Sequence, residues 1–312
     1  VLAWTANYSY PDISLDENFD HAEIGLSIRQ KGLTHLAIDL FKLKFEPTLT
    51  YNNLSIETPN MVFLRAMIIQ KNFYQKLKFL ENFGVTFLND IDAHYLSSNK
   101  ILMTRKLEAD KIAIPKTLLI KIPFDEIDIE RIGDVIGWPC VTKWMHGYAN
   151  IGVEICESAG DLFRIVRKRN EIAKIHRLNE TAFDIIIVQK LIRRQPVIQI
   201  HCVDDIAHAV IQFHQSDTSF KSNLRKDVIT LPYRVDYQMK NLAVSALKSL
   251  GLDSARMDIM IDNGEYKICE INPQASHGWV TMTHLKNISD ILVDHLYRKF
   301  QSTHQRLPLS AS

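Results

Sequence analysis

Two neighbouring apolar runs near the end of the chain, RMDIMI (256–261) and YKICEIN (266–272), are separated by the turn pair Asn263-Gly264 and read as a β-hairpin. Asp258 interrupts the first run. Glu270 and Asn272 interrupt the second two residues apart, hence on one face of the strand. Acidic side chains in apolar strands cost several kcal/mol unless paired or ligated. Two carboxylates and an amide on one face make a set of hard oxygen ligands suited to Mg²⁺. This imposes a register. A plain two-residue turn at Asn263-Gly264 puts Asp258 opposite Cys269 and sends the carboxylates to opposite faces. A shared metal needs Asp258 opposite Glu270, and therefore an odd-length loop or a bulge. The alternative is a surface hairpin with solvated acids, since Asn272-Pro273 at a strand end is also a common turn.

The rest of the chain fits an α/β enzyme. At 312 residues it has room for two or three domains. Strands and helices alternate over the first 90 residues (VLAWTA, a helix from Asp20 to Gln30, HLAIDLF, MVFLR, a helix from Ile68 to Phe83, VTFLN), which implies a small parallel sheet. A second segment, 91–185, carries a helix near Ser98, strands KTLLI, CVTKWM and IGVEIC, and a helix capped by Ser158. A third, 186–300, carries alternating strands, an amphipathic helix closed by Gly251, and the acidic hairpin. The end, 301–312, lacks periodicity and reads as disordered.

Several function classes are set aside. None of the eleven glycines builds G-x-G-x-x-G or a Gly-Lys-Ser/Thr loop, so both familiar phosphate-binding devices are missing. A net charge of +1 lacks the surplus that gripping a nucleic-acid backbone requires. No run is apolar for about 18 residues, which argues against membrane spans, and the N-terminal residues do not form a secretion signal. The four scattered cysteines read as free thiols in a reducing cytoplasm. The histidines lack zinc spacing.

Two lysines fit an anionic ligand. Lys143 lies in the apolar strand CVTKWM just before Gly147 and Gly152; an ordinary hairpin is the alternative. Lys100 lies near a helix start, where the dipole disfavours a cation. The run RIVRKR reads as a solvated helix face or a docking patch for an acidic partner.

LENFGVTFLND, SSNK, CVTKWMHGYANIGV, VQKLI, SFKSNL, GLDSARMDIM and ICEINPQASHG occur in that order. The series resembles the ATP-grasp superfamily, specifically RimK-like carboxylate–amine ligases, over roughly residues 60 to 295. The resemblance implies a three-domain ATP-grasp fold: a pre-ATP-grasp α/β domain (1–90), a central α+β subdomain with a glycine lid (91–185), and a C-terminal α+β subdomain with the metal hairpin (186–300). It implies amide formation through an acyl phosphate, with ATP and Mg²⁺ (two ions, Mn²⁺ as a substitute) as cofactors. Lys100, Lys143, Lys221 and Asn223 would contact phosphates. Gly147 to Gly152 would form the lid, and Gln189, Lys190, Leu191 and Ile192 the adenine-side linker. Asp258, Glu270 and Asn272 would hold metal. Lys143, Arg256 and Lys221 are the catalytic candidates; Arg65, Arg225 and His277 are the substrate candidates. The partners implied are an amine and a carboxylate on a small molecule, peptide or protein tail, with homo-oligomers frequent among relatives. Departures are Lys190 for a usual Glu, Val197-Ile198-Gln199 for "D-I-R", and Asn150 for a lid glycine. They leave open a peptide-modifying amide- or ester-forming enzyme, or a regulatory module that binds nucleotide without catalysis.

Overall fold

The computed structural model describes residues 1–7, 15–45, 48–66, 68, 71–145, 152–175, 184–192, 196–214, 228–274, 277–284 and 287–304. Lys221, Asn223, Arg225, Gly147 and Asn150 lie outside them.

The first sheet is parallel, in the order β2 (Thr34–Asp39), β1 (Leu2–Asn7), β6 (Met61–Leu64), β7 (Thr86–Leu88). Parallel strands need both faces covered, and the sequence supplies two apolar sets. Trp4, Val62, Leu64 and Phe87 pack with Leu77 and Leu80 of α2 (Lys71–Asn82). Ala3, Met61, Phe63 and Leu88 pack with Ile24 and Ile28 of α1 (Leu15–Gln30) and with Leu292, Val293 and Leu296 of α9 (Ile288–His304). A small sheet of β3 (Leu43–Lys44), β4 (Thr50–Tyr51) and β5 (Leu54–Ser55) sits beside it. α1 begins before Asp20 and α2 begins later than Ile68. For residues 301–304 the disordered reading is corrected, because α9 continues to His304; residues 305–312 lie outside the described ones.

The second sheet is antiparallel, in the order β10 (Val153–Cys156), β9 (Cys140–Lys143), β11 (Ile185–Lys190), β8 (Thr117–Lys121). Leu118, Ile120, Cys140, Cys156, Ile186 and Val188 face α5 (Glu126–Val135) and α6 (Ala159–Ile175), where Ile132, Leu162 and Ile165 close the core. The alternate residues Val141, Lys143, Ile187 and Gln189 therefore turn to the other side. Helix α5 went unrecognised in the sequence although Asp125 and Asp128 form a capping box at its start. In α6, Arg169 is buried and donates to Ile185 O (2.9 Å), while Arg164 and Arg167 pair with Asp161 and Glu171. The RIVRKR run is thus largely neutralised by its own neighbours.

The third sheet runs β14 (Val228–Tyr233), β13 (Ile206–His214), β12 (Val197–Val203), β15 (Ser254–Asp262), β16 (Glu265–Asn272), all antiparallel. Its apolar face, with Ile198, Ile200, Cys202, Ala255, Met257 and Ile271, packs on α7 (Tyr237–Leu250) and on α3 (Ile91–Ser98) and α4 (Lys100–Ala109). Asp236 caps the start of α7, and Gly251 ends it at φ +70°. A short helix, α8 (Gly278–His284), follows the hairpin. Where one helix near Ser98 was expected there are two, broken at Asn99, whose side chain caps α4 by accepting from the Ile101 and Leu102 N–H groups.

Candidate active site

The hairpin satisfies both constraints read from its sequence. Asn263 and Gly264 adopt φ +53° and +83° in a two-residue turn, with Asp262 paired to Glu265. That turn alone would misplace the acids. The register then shifts between Asp258 and Ile259: Ile259 pairs with Ile268, Asp258 with Glu270, and Cys269 is the extra residue of the bulge. Across the third sheet, residues directly opposite one another share a face. One row reads Val210, Gln199, Asp258, Glu270, and the next His208, His201, Arg256, Asn272. The polar face so built is the one turned away from α7.

Three cations converge on it. Lys100, the first residue of α4, is ion-paired with Glu270, and its backbone N–H donates to Met145 O (3.1 Å) at the end of β9. Lys143 Nζ crosses from the second sheet to donate to Cys269 O at 2.9 Å. Arg256 Nε lies 3.3 Å from Asp258 Oδ1. Burial raises the Asp258 carboxyl above its ordinary range and the neighbouring Glu270 charge adds to that; Arg256, Lys100 and Lys143 oppose without cancelling it. Burial acts on Glu270 in the same sense, but Lys100 and Lys143 outweigh it and hold Glu270 low. Burial pulls Lys143 down. Burial likewise pushes the Cys269 thiol up to about 11.

A second crossing joins the two sheets at the expected adenine-side linker. Lys190 Nζ binds both carboxylate oxygens of Asp262, at 2.9 and 2.8 Å. The usual Glu at 190 is replaced by a lysine that finds its acid on β15. Gln189 is buried and donates to Thr117 Oγ1 (2.9 Å); Leu191 is half-buried and Ile192 buried.

The described substrate candidates come from two places, Arg65 from the first sheet and His277 from between β16 and α8. Arg65 follows β6, its N–H bonded to Ala6 O (2.8 Å), and its charge is felt at His94, His201 and His277. His277 is buried, 2.8 Å from Ser289 Oγ through Nε2, with its ring edge-on to His201 at 6.5 Å between centroids.

The pair of carboxylates with one amide is a fitting donor set for Mg²⁺, because it leaves positions for phosphate oxygens and water. Asp258 is 6% exposed, so its charge needs a cation close by. Among the described residues no group of three or more His, Cys, Asp or Glu side chains is arranged to hold a metal by itself. Sequence reasoning missed Asn89, which closes β7 and reaches the hairpin; its signal was an asparagine ending an apolar strand.

Gly152, just before β10, is tightly packed on Trp144. Gly152 has φ +76°, and a Cβ there would meet Trp144 carbons at 2.4 Å. Trp144 N–H donates to Gly152 O (3.0 Å). Gly152→Ala should destabilise the protein by about 1–3 kcal/mol and shift tryptophan emission. Wild-type emission and an unchanged melting curve would contradict that packing.

A parallel sheet flanked by helices, with two antiparallel sheets bridged by Lys143 and Lys190, is the layout of an ATP-grasp ligase. The chain belongs to the RimK-like ATP-grasp family, whose profile matches residues 97–296, and it is accordingly an ATP-dependent ligase of the carboxylate–amine class. A probable alpha-L-glutamate ligase of Pseudomonas fluorescens is 28% identical over 222 residues, 70% of each chain. The fold resembles D-alanine–D-alanine ligase from Bacillus anthracis (TM-score 0.67, 13% identity, 97% of this chain and 99% of that one). It also resembles the macrocyclase MdnC of Microcystis aeruginosa bound with precursor peptide MdnA (TM-score 0.65, 14% identity, 96% and 100%). Among the described residues, no helix is long and apolar enough to cross a membrane.

Proposed function

We propose that this ligase joins glutamate to a second amino acid or to a peptide or protein tail, with Asp258, Glu270 and Asn272 holding the Mg²⁺ of MgATP. The observation that carries the site reading is the bulge at Cys269, which brings Asp258 opposite Glu270 and leaves Asn272 and Arg256 on the same face. The name of the Pseudomonas relative supports glutamate. The likeness to MdnC, whose structure holds a precursor peptide, supports a peptide partner as a second reading.

The substrate carboxylate attacks the γ-phosphorus of ATP, forming an acyl phosphate and releasing ADP. The amine nitrogen then attacks the acyl carbon, and inorganic phosphate leaves as the amide forms. Bound Mg²⁺ supplies charge neutralisation at the phosphate oxygens. Lys100 and Lys143 exchange their present carboxylate and carbonyl partners for phosphate oxygens. Arg256 faces the charge that builds on the acyl oxygen, and Arg65 after β6 and His277 before α8 orient the substrate. Lys221, Asn223 and Arg225 complete the phosphate and substrate ends. The Gly147–Gly152 lid excludes water from the acyl phosphate. Gln189, Lys190, Leu191 and Ile192 border the base. Segments 1–90, 91–185 and 186–300 are the three units enclosing the cleft. A second metal ion and activity with Mn²⁺ belong to the same reading.

The test is ADP release with MgATP, glutamate and a panel of amines and carboxylates. Release should require both substrates, stop on chelation and return with Mg²⁺. Hydroxylamine in place of the amine should trap a hydroxamate. ADP release without a hydroxamate would overturn the acyl-phosphate route, and indifference to glutamate would overturn the substrate.

A further inference from the structure

Asn89 directly follows β7 and is fully buried, yet its side chain serves another sheet. Nδ2 donates to Ser254 O at 2.8 Å and to Pro273 O at 3.2 Å. Oδ1 accepts from the backbone N–H groups of Asp253 and Ser254, both at 2.7 Å. Both donor hydrogens and both acceptor positions of the amide are therefore used. The partners sit at the open mouth of the metal hairpin. Its last ladder pair is Arg256 with Asn272. Pro273 has no N–H, so the ladder cannot continue in the ordinary way. The Asn89 amide takes over at that point, giving one hydrogen to each strand. Lys299 runs beside it as a strut between the same two segments, bonded to Phe87 O (3.2 Å), Asp90 (2.6 Å) and Asp253 (2.7 Å).

We propose that Asn89 is the positioning residue of the metal hairpin. It fixes Asn272 and Arg256 relative to the first sheet, and so relative to Arg65 on the strand beside β7. The inference rests on the reading that Asp258, Glu270 and Asn272 hold Mg²⁺. Apolar packing of Leu88 and Val203 in one cluster holds the two sheets together, but packing is tolerant in position whereas hydrogen bonds to both hairpin strands are not. Mg²⁺ demands near-ideal octahedral placement of its ligands, so a small freedom at Asn272 weakens binding more than it weakens the fold. Partners one layer behind a metal's ligands characteristically change affinity or activity by about 10–100-fold.

The experiment measures the Mg²⁺ half-saturation of ADP release at saturating ATP in the full chain, together with the melting temperature. Asn89→Ala should raise the half-saturation by about tenfold or more, with a smaller fall in rate at saturating Mg²⁺. Asn89→Asp keeps the volume and both accepted bonds but loses both donated ones, and should do the same. A merely structural loss reduces the active fraction without moving the half-saturation, as expected for Leu77→Ala in the core of the first sheet. Wild-type protein supplies a reading that needs no variant: Mg²⁺ with ADP should slow hydrogen exchange at the Asp253 and Ser254 amides. Folded Asn89 variants with wild-type half-saturation overturn the proposal, and so does unaltered exchange at those amides. Asp258→Asn separates the two readings. If it leaves the half-saturation unmoved, the metal site is wrong; if it moves it and the Asn89 variants do not, only the positioning role fails.

Discussion

Lys143→Met should reduce ADP release by about 10²–10³-fold while leaving the melting temperature at or above that of the wild-type chain. The two halves of this outcome have one cause. Lys143 projects from a strand otherwise occupied by Cys140, Val141 and Thr142, all buried. Burial disfavours its charge, and the nearby Lys100 disfavours it further; Glu270 and Asp258 only partly offset this. Among the described residues its ammonium donates to the Cys269 carbonyl, a neutral partner. A group held in this way contributes little to folding, and an unbranched apolar side chain of similar length fills the same space. What methionine cannot supply is a positive charge facing the rows that carry Asp258 and Glu270, where the triphosphate is proposed to lie. Lys143→Arg should recover only part of the activity, because the larger guanidinium must fit between two sheets that now approach within one hydrogen bond. A Lys143→Met protein that both melts lower and turns over normally would place Lys143 in the core and remove it from the phosphate site.

How far the sequence discloses such a residue depends on whether its reason is local. The acid–acid–amide pattern of the hairpin is local, and it demanded a register that Asn263-Gly264 alone cannot give. Which residue bulges was not legible, because any position between Glu265 and Glu270 restores the parity. Cys269 takes it in the structure. The ordered motifs carried the family, and the match over residues 97–296 spans six of the seven, all but LENFGVTFLND. Partners far apart in the chain stayed hidden. Lys190 looked like a departure from the family until its acid appeared 72 residues away, and Asn89 read as the end of a strand because its partners lie 164 to 184 residues on. Helices were misjudged where caps outweighed periodicity. Asn99 breaks one apolar stretch into two helices, and Asp125 with Asp128 starts a helix whose apolar face is narrow, with Ile132 its buried residue.

The fold should also be markedly acid-sensitive, losing stability from pH 7 downward well before its carboxylates titrate. Three buried histidines set this. His94 on α3 is fully buried and its Nε2–H donates to Ala66 O at 2.9 Å; burial, with Arg65 adding to it, brings its pKa from 6.5 down to about 4. His201 is pushed well down by burial, then by Arg256 and by His277, and His277 by burial and Arg65. Each of these groups binds a proton more readily when the chain is unfolded. Above about pH 6.5 both states are neutral and the histidines leave stability unaffected by pH. Below it the unfolded chain is protonated and the native one is not, so stability falls until the native pKa is reached. For His94 alone the loss amounts to about 3 kcal/mol by pH 4. With His201 and His277 acting in the same sense, the slope below pH 6 should approach three protons. The melting temperature measured from pH 8 to pH 4.5 checks the sign. His94→Gln checks the assignment, since its amide can still donate to Ala66 O but does not titrate, and the slope should fall by about one proton. A melting temperature flat between pH 7 and 5, or an unchanged slope in His94→Gln, would mean that these imidazoles reach water. The two arginines that help hold His201 and His277 neutral, Arg65 and Arg256, are the same two proposed to meet anionic substrate groups. An anion bound between them should therefore ease protonation of His201 and flatten the acid limb, so the pH–stability curve taken with and without glutamate reads occupancy of the substrate side directly.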